Sequence, residues 1–584
     1  MVQKSNKVDF SKISEFKRQF FNSKEEFTYI GSGSLGGKAA GLAFMREILS
    51  TKLDTRAKDQ IVVNIPRLTV ITTEMFDVFM KQNKLYEIAY SDSPDNIIAH
   101  EFQKSSLPVE LIGDLRALIS KVHSPLAVRS SSLLEDAMYE PFAGIYETKM
   151  IPNNQPDTDT RFQKLTEAIK FVYSSTFFKQ AKDYIKATKS KIEDEKMAVI
   201  IQEIVGQRFN NHFYPNVSGV ARSFNYYPIG RAKPEQGVVN LALGLGKTIV
   251  EGGISWTFSP AMPKAKPPFA SVDSLLENTQ NQFWVVNMGK PPAYDPIKET
   301  EYLVQLSLAE AEYEGTLEAI ASTYDASSDT IKPGTSARGP RIINFASILE
   351  LNTIPLNNLL KDLLRVCTDA TGSAVEIEFA MTIDKSGERE PRFGFLQVRP
   401  MVVSDEEITI SEDELTSGET LLASDRVLGN GTIDSIRDIV FVKPEAFDAK
   451  FSSQIAMELE TVNNELAKTN SPYLLIGFGR WGSSDPWLGI PVNWGQISGA
   501  KVIVESMYTN MNVELSQGSH FFHNITSFRV FYFSMPAGGK YRIDWQWLNQ
   551  KPATSEGSFV KHVRLNTPLA AKVDGRTGKG VILK

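Results

Sequence analysis

Cysteine is almost absent: Cys367 is the single one in 584 residues. A disulfide within the chain and a cysteine-built zinc site are therefore excluded. Histidine is scarce too, so any imidazole chemistry must draw on His100, His123, His212, His520, His523 or His562. No run of about 18 apolar residues occurs, and no transmembrane helix is expected. Met1 to Phe20 alternate charged and apolar residues, without the apolar core of a signal peptide. A reducing cytoplasm is the expected location. Positive charge is not in excess either: 63 Lys and Arg stand against 69 Asp and Glu, a formal net charge of -6. With no long basic run, neither nucleic acid nor a membrane is an expected partner. What is present is ordinary, with 42% hydrophobic and 23% charged residues, as in a globular protein of about two to four domains.

Hydrophobic patterning organises the chain. Strands are expected at Phe27 to Ile30, Ile61 to Val70 with Pro66 inside it, Leu126 to Ser130, Met197 to Ile201, Ala374 to Ala380, Arg392 to Val398 and Tyr473 to Ile476. Helical spacing marks the residues ahead of Phe27, Gly37 to Ser50, Phe162 to Ala187 and Ile354 to Thr371. Thr72 and Thr73 offer an N-cap to a helix starting near Glu74. Pro260 to Pro296, which also holds Pro263, Pro267, Pro268, Pro291 and Pro292, is expected to be a surface insertion. Past Pro400 the sequence turns acidic through Asp405, Glu406, Glu407, Glu412, Asp413 and Glu414. The expected division is a helical segment 1–27, a body 28–402, an acidic linker 403–419 and a C-terminal domain 420–584. Alternating strands and helices give the body a mixed α/β or α+β fold, followed by a smaller β-rich α+β domain.

Between the first strand and the helix from Gly37 lies Gly31-Ser32-Gly33-Ser34-Leu35-Gly36-Gly37-Lys38. Such a turn can aim backbone N–H groups at a phosphate, with Lys38 as a mobile charge. A tight turn with a solvated lysine is the alternative. Gly31, Gly33 and Gly36 match a dinucleotide spacing, but the next strand ends in Thr69, Val70 and Ile71 where that fold needs an acid. A Walker loop fails because Ser32 and Ala39 replace its first glycine and its hydroxyl residue. Gly246-Lys247-Thr248 fails as well, with Leu241 at the first glycine.

The turn heads an ordered series. It comprises Val128-Arg129-Ser130-Ser131-Ser132, Phe142-Ala143-Gly144-Ile145-Tyr146-Glu147-Thr148, Ser218-Gly219-Val220-Ala221, Gly244-Leu245-Gly246, Glu376-Ile377-Glu378-Phe379-Ala380 and Leu396-Gln397-Val398-Arg399-Pro400. Residues 28–402 thereby resemble the ATP-binding domain of phosphoenolpyruvate synthase and pyruvate phosphate dikinase. The resemblance implies an ATP-grasp fold, two α/β lobes clamping a nucleotide, with ATP and Mg2+ as cofactors. It places Gly36, Gly37, Lys38, Gly244 and Gly246 around the nucleotide, Lys38 and Arg129 on its phosphates, and Gln202 and Glu203 beside adenine. Glu378 and Gln397 match the family's magnesium ligands, and Arg399 is placed to reach a β- or γ-phosphate. These residue types suit the task, because phosphoryl transfer is mostly positioning and charge neutralisation. An arginine fork fits phosphate oxygens, and carboxylate and amide oxygens fit a hard cation. A structural ion pair, or a solvated strand position, is the plain alternative for each.

Two residues depart from the family pattern: Gln180 stands for an arginine, and Lys247 for the glutamate of the GLGE loop. The family's complete enzymes continue into a swivelling phosphohistidine domain and a phosphoenolpyruvate-binding barrel, and residues 420–584 are too few for the barrel. Within them Gly477 to Asp485 forms a turn in which Arg480 can bind an anion, or Trp481 can anchor a plain loop. Gln517-Gly518-Ser519-His520-Phe521-Phe522-His523 resembles the phosphohistidine turn, and Gly489-Ile490-Pro491-Val492 a segment near it, in reversed order. His520 is the candidate phospho-carrier, a packed histidine being the alternative. The expected function is a magnesium-dependent phosphotransferase that cleaves ATP to AMP and phosphate. It passes a phosphoryl group to a histidine or a small acceptor, pyruvate-like by analogy, with Arg129, Arg399 and His520 as catalytic residues. The rivals are a non-catalytic ATP sensor, which Gln180 and Lys247 favour, and an ATP-grasp ligase forming an acylphosphate.

Overall fold

Apolar residues recur along the helix Gly36–Lys52 at Ala39, Leu42, Met45 and Leu49. They recur along Leu356–Thr371 at Leu356, Leu359, Leu360, Leu363, Leu364 and Cys367. This spacing gives each helix one apolar face, and both faces enter a single core shared with two six-stranded sheets. The computed structural model describes residues 13–18, 27–53, 61–133, 135, 144–186, 191–226, 228, 232–265, 271–384, 388–401, 403, 408–483, 487–507, 525, 528, 530–536, 538–575 and 577–584. His520 and His523 lie outside them.

The first sheet runs Ser14–Glu15, Phe27–Ile30, Leu68–Ile71, Met197–Glu203, Leu126–Ser132, Thr148–Ile151. Met197–Glu203 is interior to it and buried almost throughout, which is why it reads as a continuous apolar run. The second runs Trp256–Phe258, Val238–Ala242, Val217–Arg222, Val375–Thr382, Arg392–Pro400, Val62–Asn64. Smaller sheets of four and three strands occupy 207–343.

Four expectations are corrected. Ile61 to Val70 is two strands, not one: Pro66 has no N–H for a ladder, Val62–Asn64 pairs with Arg392–Pro400, and Leu68–Ile71 pairs with Phe27–Ile30. The chain thus changes sheets at Pro66. Pro260 to Pro296 is not simply a surface insertion, because its proline-free middle forms the strand Gln282–Asn287, with Phe283, Val285 and Val286 fully buried. Ahead of Phe27 the described residues form a strand, Ser14–Glu15, parallel to Thr28 and Tyr29, where a helix was expected. Backbone pairing at the sheet edge outweighs helical propensity there. Thr72 precedes the helix Thr73–Gln82 but makes no side-chain cap; its hydroxyl donates to Ile30 O (3.2 Å), and Thr73 Oγ1 accepts from Ser34 N–H (3.0 Å).

Beyond residue 418 a nine-stranded mixed sheet dominates. Gly431–Val442, Tyr473–Phe478, Ala500–Ser506 and Phe531–Met535 run parallel in that order. The helix Ser452–Lys468 makes the first crossover, as parallel pairing requires. The acidic run contains a short helix, Glu412–Thr416, whose Ser411 and Glu414 form a capping box. Glu414 and Glu412 pair with Lys572 and Lys579 of that sheet. The architecture is therefore a mixed α/β body followed by a β-rich domain. Cys367 is buried, and burial pushes its thiol up to about 12, so it is no nucleophile. No helix among the described residues is long and apolar enough to cross a membrane.

Candidate functional site

Strand alternation sends every second side chain to one face. On the first sheet this gathers Ala127 and Arg129 with their register partners Gln202, Met150 and Thr148. On the second it gathers Ser218 and Val220 with Ala380 and Glu378, and Glu378 lies directly opposite Gln397. All these residues line one cavity of about 440 Å³, together with Lys38, Glu203, Gly246 and Arg399. The cavity therefore draws on both six-stranded sheets.

Arg129 bridges the two. Its guanidinium donates to Gln202 Oε1 (3.2 Å) on its own sheet, and to Gln397 Oε1 (2.8 Å) and Leu396 O (3.1 Å) on the other. Glu378 Oε2 lies 3.7 Å away. Arg399 is 2% exposed and pairs with Glu378 (2.5 Å) and Glu376 (3.5 Å), while Arg222 also holds Glu376 (2.6 Å). Among the described residues three guanidiniums thus share two carboxylates. The positive excess favours an anion, and a buried charge of this kind is tolerated only when paired. Gln202 Nε2 is buried without a partner among the described residues, a donor open to a ligand. Glu203 behaves differently: it pairs in register with Leu126, and its carboxylate is held by Arg67 (3.2 Å) and Ser124 (2.9 Å).

The glycine turn does not cradle the cavity. Gly36, Gly37 and Gly244 are absent from its lining. The N–H groups of Ser32 and Ser34 are taken by Glu74 and Thr73, and those of Gly36 and Ala39 by Ser34 and Ser131 hydroxyls. Gly36 needs its glycine for another reason: φ is +74°, and a Cβ would stand 1.6 Å from Ser131 O. Gly244 (φ +82°) turns against Trp284 O, with its carbonyl bound by Ser218. Lys38 does line the cavity but is no mobile charge. It is buried, and its ammonium holds Glu135 (2.7 Å) and Ser130 (3.0 Å).

Another part of the lining is acidic around one lysine. Lys247 binds Glu251 (2.6 Å) and Glu299 (2.8 Å), and Glu147 lies near all three. Burial first, then Glu299, raises the Glu147 carboxyl to about 7. Gln180 donates to Gly144 O (3.2 Å). Gly482, Val492, Asn493 and Trp494 of the C-terminal domain complete the wall. Arg480 is buried and donates to Gly252 O (2.8 Å), so it ties the domain to the body instead of waiting for an anion. Glu147 stood within a motif that carried the family resemblance. Glu299 and Trp494 gave no signal, because only folding brings them within reach of it.

Two comparisons bear on this arrangement. The family model described as pyruvate phosphate dikinase, AMP/ATP-binding domain, matches residues 32–418. An uncharacterized phosphotransferase of Bacillus subtilis (strain 168), YvkC, is 26% identical over 191 residues, which are 33% of this chain and 20% of that protein. The chain therefore matches only about a fifth of that relative's length. With most of its length matched by the family model, the chain belongs to the pyruvate phosphate dikinase AMP/ATP-binding domain family.

Proposed function

We propose that the chain is a magnesium-dependent ATP phosphotransferase of ATP-grasp type, holding the nucleotide between its two six-stranded sheets. The cluster of Arg129, Arg399, Glu378 and Gln397 carries this reading, since it joins cations with hard oxygen donors in one cavity. Glu378 and Gln397 are register partners offering a carboxylate and an amide oxygen, a donor set that fits magnesium. These two residues would hold the ion, which when bound neutralises phosphate charge. Arg129 and Arg399 orient the phosphates, and Gln202 Nε2 donates to the base. Lys38 acts through charge from its buried pair with Glu135. The division proposed is a nucleotide unit 28–402, a linker 403–419 and a domain 420–584 that covers the cavity. A cytoplasmic setting accords with the single, buried cysteine.

The sensor reading rests on Gln180 and Lys247. Lys247 reverses one charge of the family pattern, yet Glu251 and Glu299 flank it, so this part of the cavity stays acidic. Family likeness favours AMP and phosphate with a histidine intermediate, and direct transfer to a small acceptor gives ADP. The deciding test is calorimetry of ATP with and without Mg2+, followed by product analysis. Wild type should bind ATP with Mg2+, and Glu378→Ala should lose the metal-dependent part. Equal affinity in both proteins would end the assignment.

A further inference from the structure

The strand Thr148–Ile151 presents Thr148 and Met150 to the cavity, and alternation turns Lys149 to the other face. Lys149 is 1% exposed. Its ammonium donates to the carbonyls of Asp295 (3.3 Å), Pro296 (3.1 Å) and Lys298, and Glu301 Oε2 lies 2.8 Å from it. The ring centroids of Phe171 and Tyr302 stand 5.3 and 6.0 Å away. A lysine has three N–H groups to give, yet four oxygens converge on this one. Glu301 Oε2 meets no well-aligned N–H among the described residues, so charge is what holds it to the ammonium. Convergent carbonyls of this kind replace the water shell of a monovalent cation.

These oxygens belong to 288–302, which joins the strands Gln282–Asn287 and Leu303–Ser307 with no helix or strand of its own. A connection of that length takes its shape from the side chains that tie it down. Tyr294 ties it to Glu167 (2.9 Å), but from the surface, being 63% exposed. Lys149 ties it from within. Glu299 lies between Lys298, whose carbonyl binds Lys149, and Glu301. On the cavity side its carboxylate holds Lys247 (2.8 Å).

We propose that 295–301 forms a cradle of the monovalent-cation type, filled by the chain's own Lys149 ammonium, and that Lys149 is the positioning residue for the Glu299–Lys247 pair in the cavity. The cradle stands on its own geometry, while its bearing on the nucleotide rests on the phosphotransferase reading. Its donors fix the class of cation. Three neutral carbonyls and one carboxylate balance a single positive charge, and a divalent ion would leave a buried charge uncompensated. The cavity wall then depends on Lys149 through Glu299. Burial first, then Glu299, raises the Glu147 carboxyl to about 7. Lys247, Asp95 and Glu251 also act on it, and Lys38, Arg129 and Arg399 line the same cavity. Displacing Glu299 removes the strongest of the charges that keep the proton on Glu147. Ionised Glu147 adds negative charge to a cavity that must receive phosphates, so ATP binds less tightly once that proton is lost.

The test takes the full chain and Lys149→Ala, refolded in KCl, n-propylammonium chloride or tetramethylammonium chloride at equal ionic strength. Propylammonium supplies the atoms that alanine lacks. The urea midpoint of Lys149→Ala should rise in propylammonium and K+ relative to tetramethylammonium, and that of the wild type should show no such preference. Calorimetry of ATP with Mg2+ then reads the wall. Wild-type affinity should fall as pH rises through about 7. Lys149→Ala and Glu299→Gln should each move that fall to lower pH by the same interval, and the double variant by no more. ATP's own titration is common to all and cancels in the difference. Propylammonium should return Lys149→Ala, and not Glu299→Gln, to the wild-type profile. Lys149→Met combined with Glu301→Gln removes both buried charges at nearly constant volume; it should fold, ignore the added cations and keep the shifted profile. Propylammonium that recovers Lys149→Ala no better than tetramethylammonium would overturn the cradle. A wild-type profile in Lys149→Ala, or shifts that add in the double variant, would overturn the positioning role. Failure of the wild type to bind ATP would instead remove the phosphotransferase reading, and the urea measurements would still decide the cradle.

Discussion

Arg129 contacts Gln202 and Gln397, side chains from different sheets, so it is a strut between them, and in the proposed function it is also a phosphate cation. Hydrogen bonds to charged groups contribute about 1.5–3 kcal/mol each. Arg129→Ala should therefore weaken ATP by about tenfold to 100-fold and adenosine far less, as read by calorimetry. Equal loss for both ligands would mean that the strut alone matters. Glu505 makes a different prediction. Burial raises its carboxyl to about 7, with Tyr532 and Arg480 opposing the shift. The folded protein then binds the proton more tightly than the unfolded chain, so the proton stabilises the fold. That contribution is complete below about 4.5 and is lost as pH rises through about 7. It amounts to about 3 kcal/mol. Glu505→Gln should flatten the decline in urea stability across that interval; an unchanged slope would assign the decline to other groups.

At the scale of elements, the turn before Gly36–Lys52 is a packing device. Its glycines permit positive φ and bring the backbone against the strand Leu126–Ser132 and the helix Thr73–Gln82. Gly36→Ala forces a Cβ into Ser131 O at a φ that alanine resists. It should cost about 3 kcal/mol or more, read as a lowered urea midpoint. The strands of 126–203 and the helix and strands of 356–400 were legible because period-two and period-3.6 patterns there coincide with true burial, whereas the helix expected over Phe162 to Ala187 is two helices, Thr158–Ser175 and Lys179–Lys186. The misreadings fell where tertiary pairing overrode local pattern. Proline density hid Gln282–Asn287, and Pro66 concealed the passage between sheets.

In the whole molecule, one hydrophobic cluster joins Phe76, Phe79 and Tyr173 of the body to Tyr473, Trp494 and Ile497 of the C-terminal domain. The polar ties across this interface differ in strength. Lys179 pairs with Glu460 while largely exposed, and such a pair contributes about 0–1 kcal/mol. Arg480 is buried against Gly252 O, and its loss leaves buried groups unsatisfied at about 1–3 kcal/mol. Arg480→Ala should therefore lower unfolding stability clearly more than Lys179→Ala, measured in urea. The opposite order would show the interface to be held from its exposed rim.

The sequence by itself determined the family and the mixed architecture, and its resemblance picked out Arg129, Gln202, Glu378, Gln397 and Arg399, which line one cavity. Each stands in a short strand motif, and strand periodicity assigns a side chain to a face from local order alone. The tertiary structure alone decided which glycines face the cavity and where each carboxylate finds its partner. Gly36 is committed to Ser131, Glu203 to Arg67, and Lys38 to Glu135. It alone brought Glu147, Lys247, Glu299 and Trp494 to one cavity, since contacts between residues so distant in sequence leave no periodic trace in it.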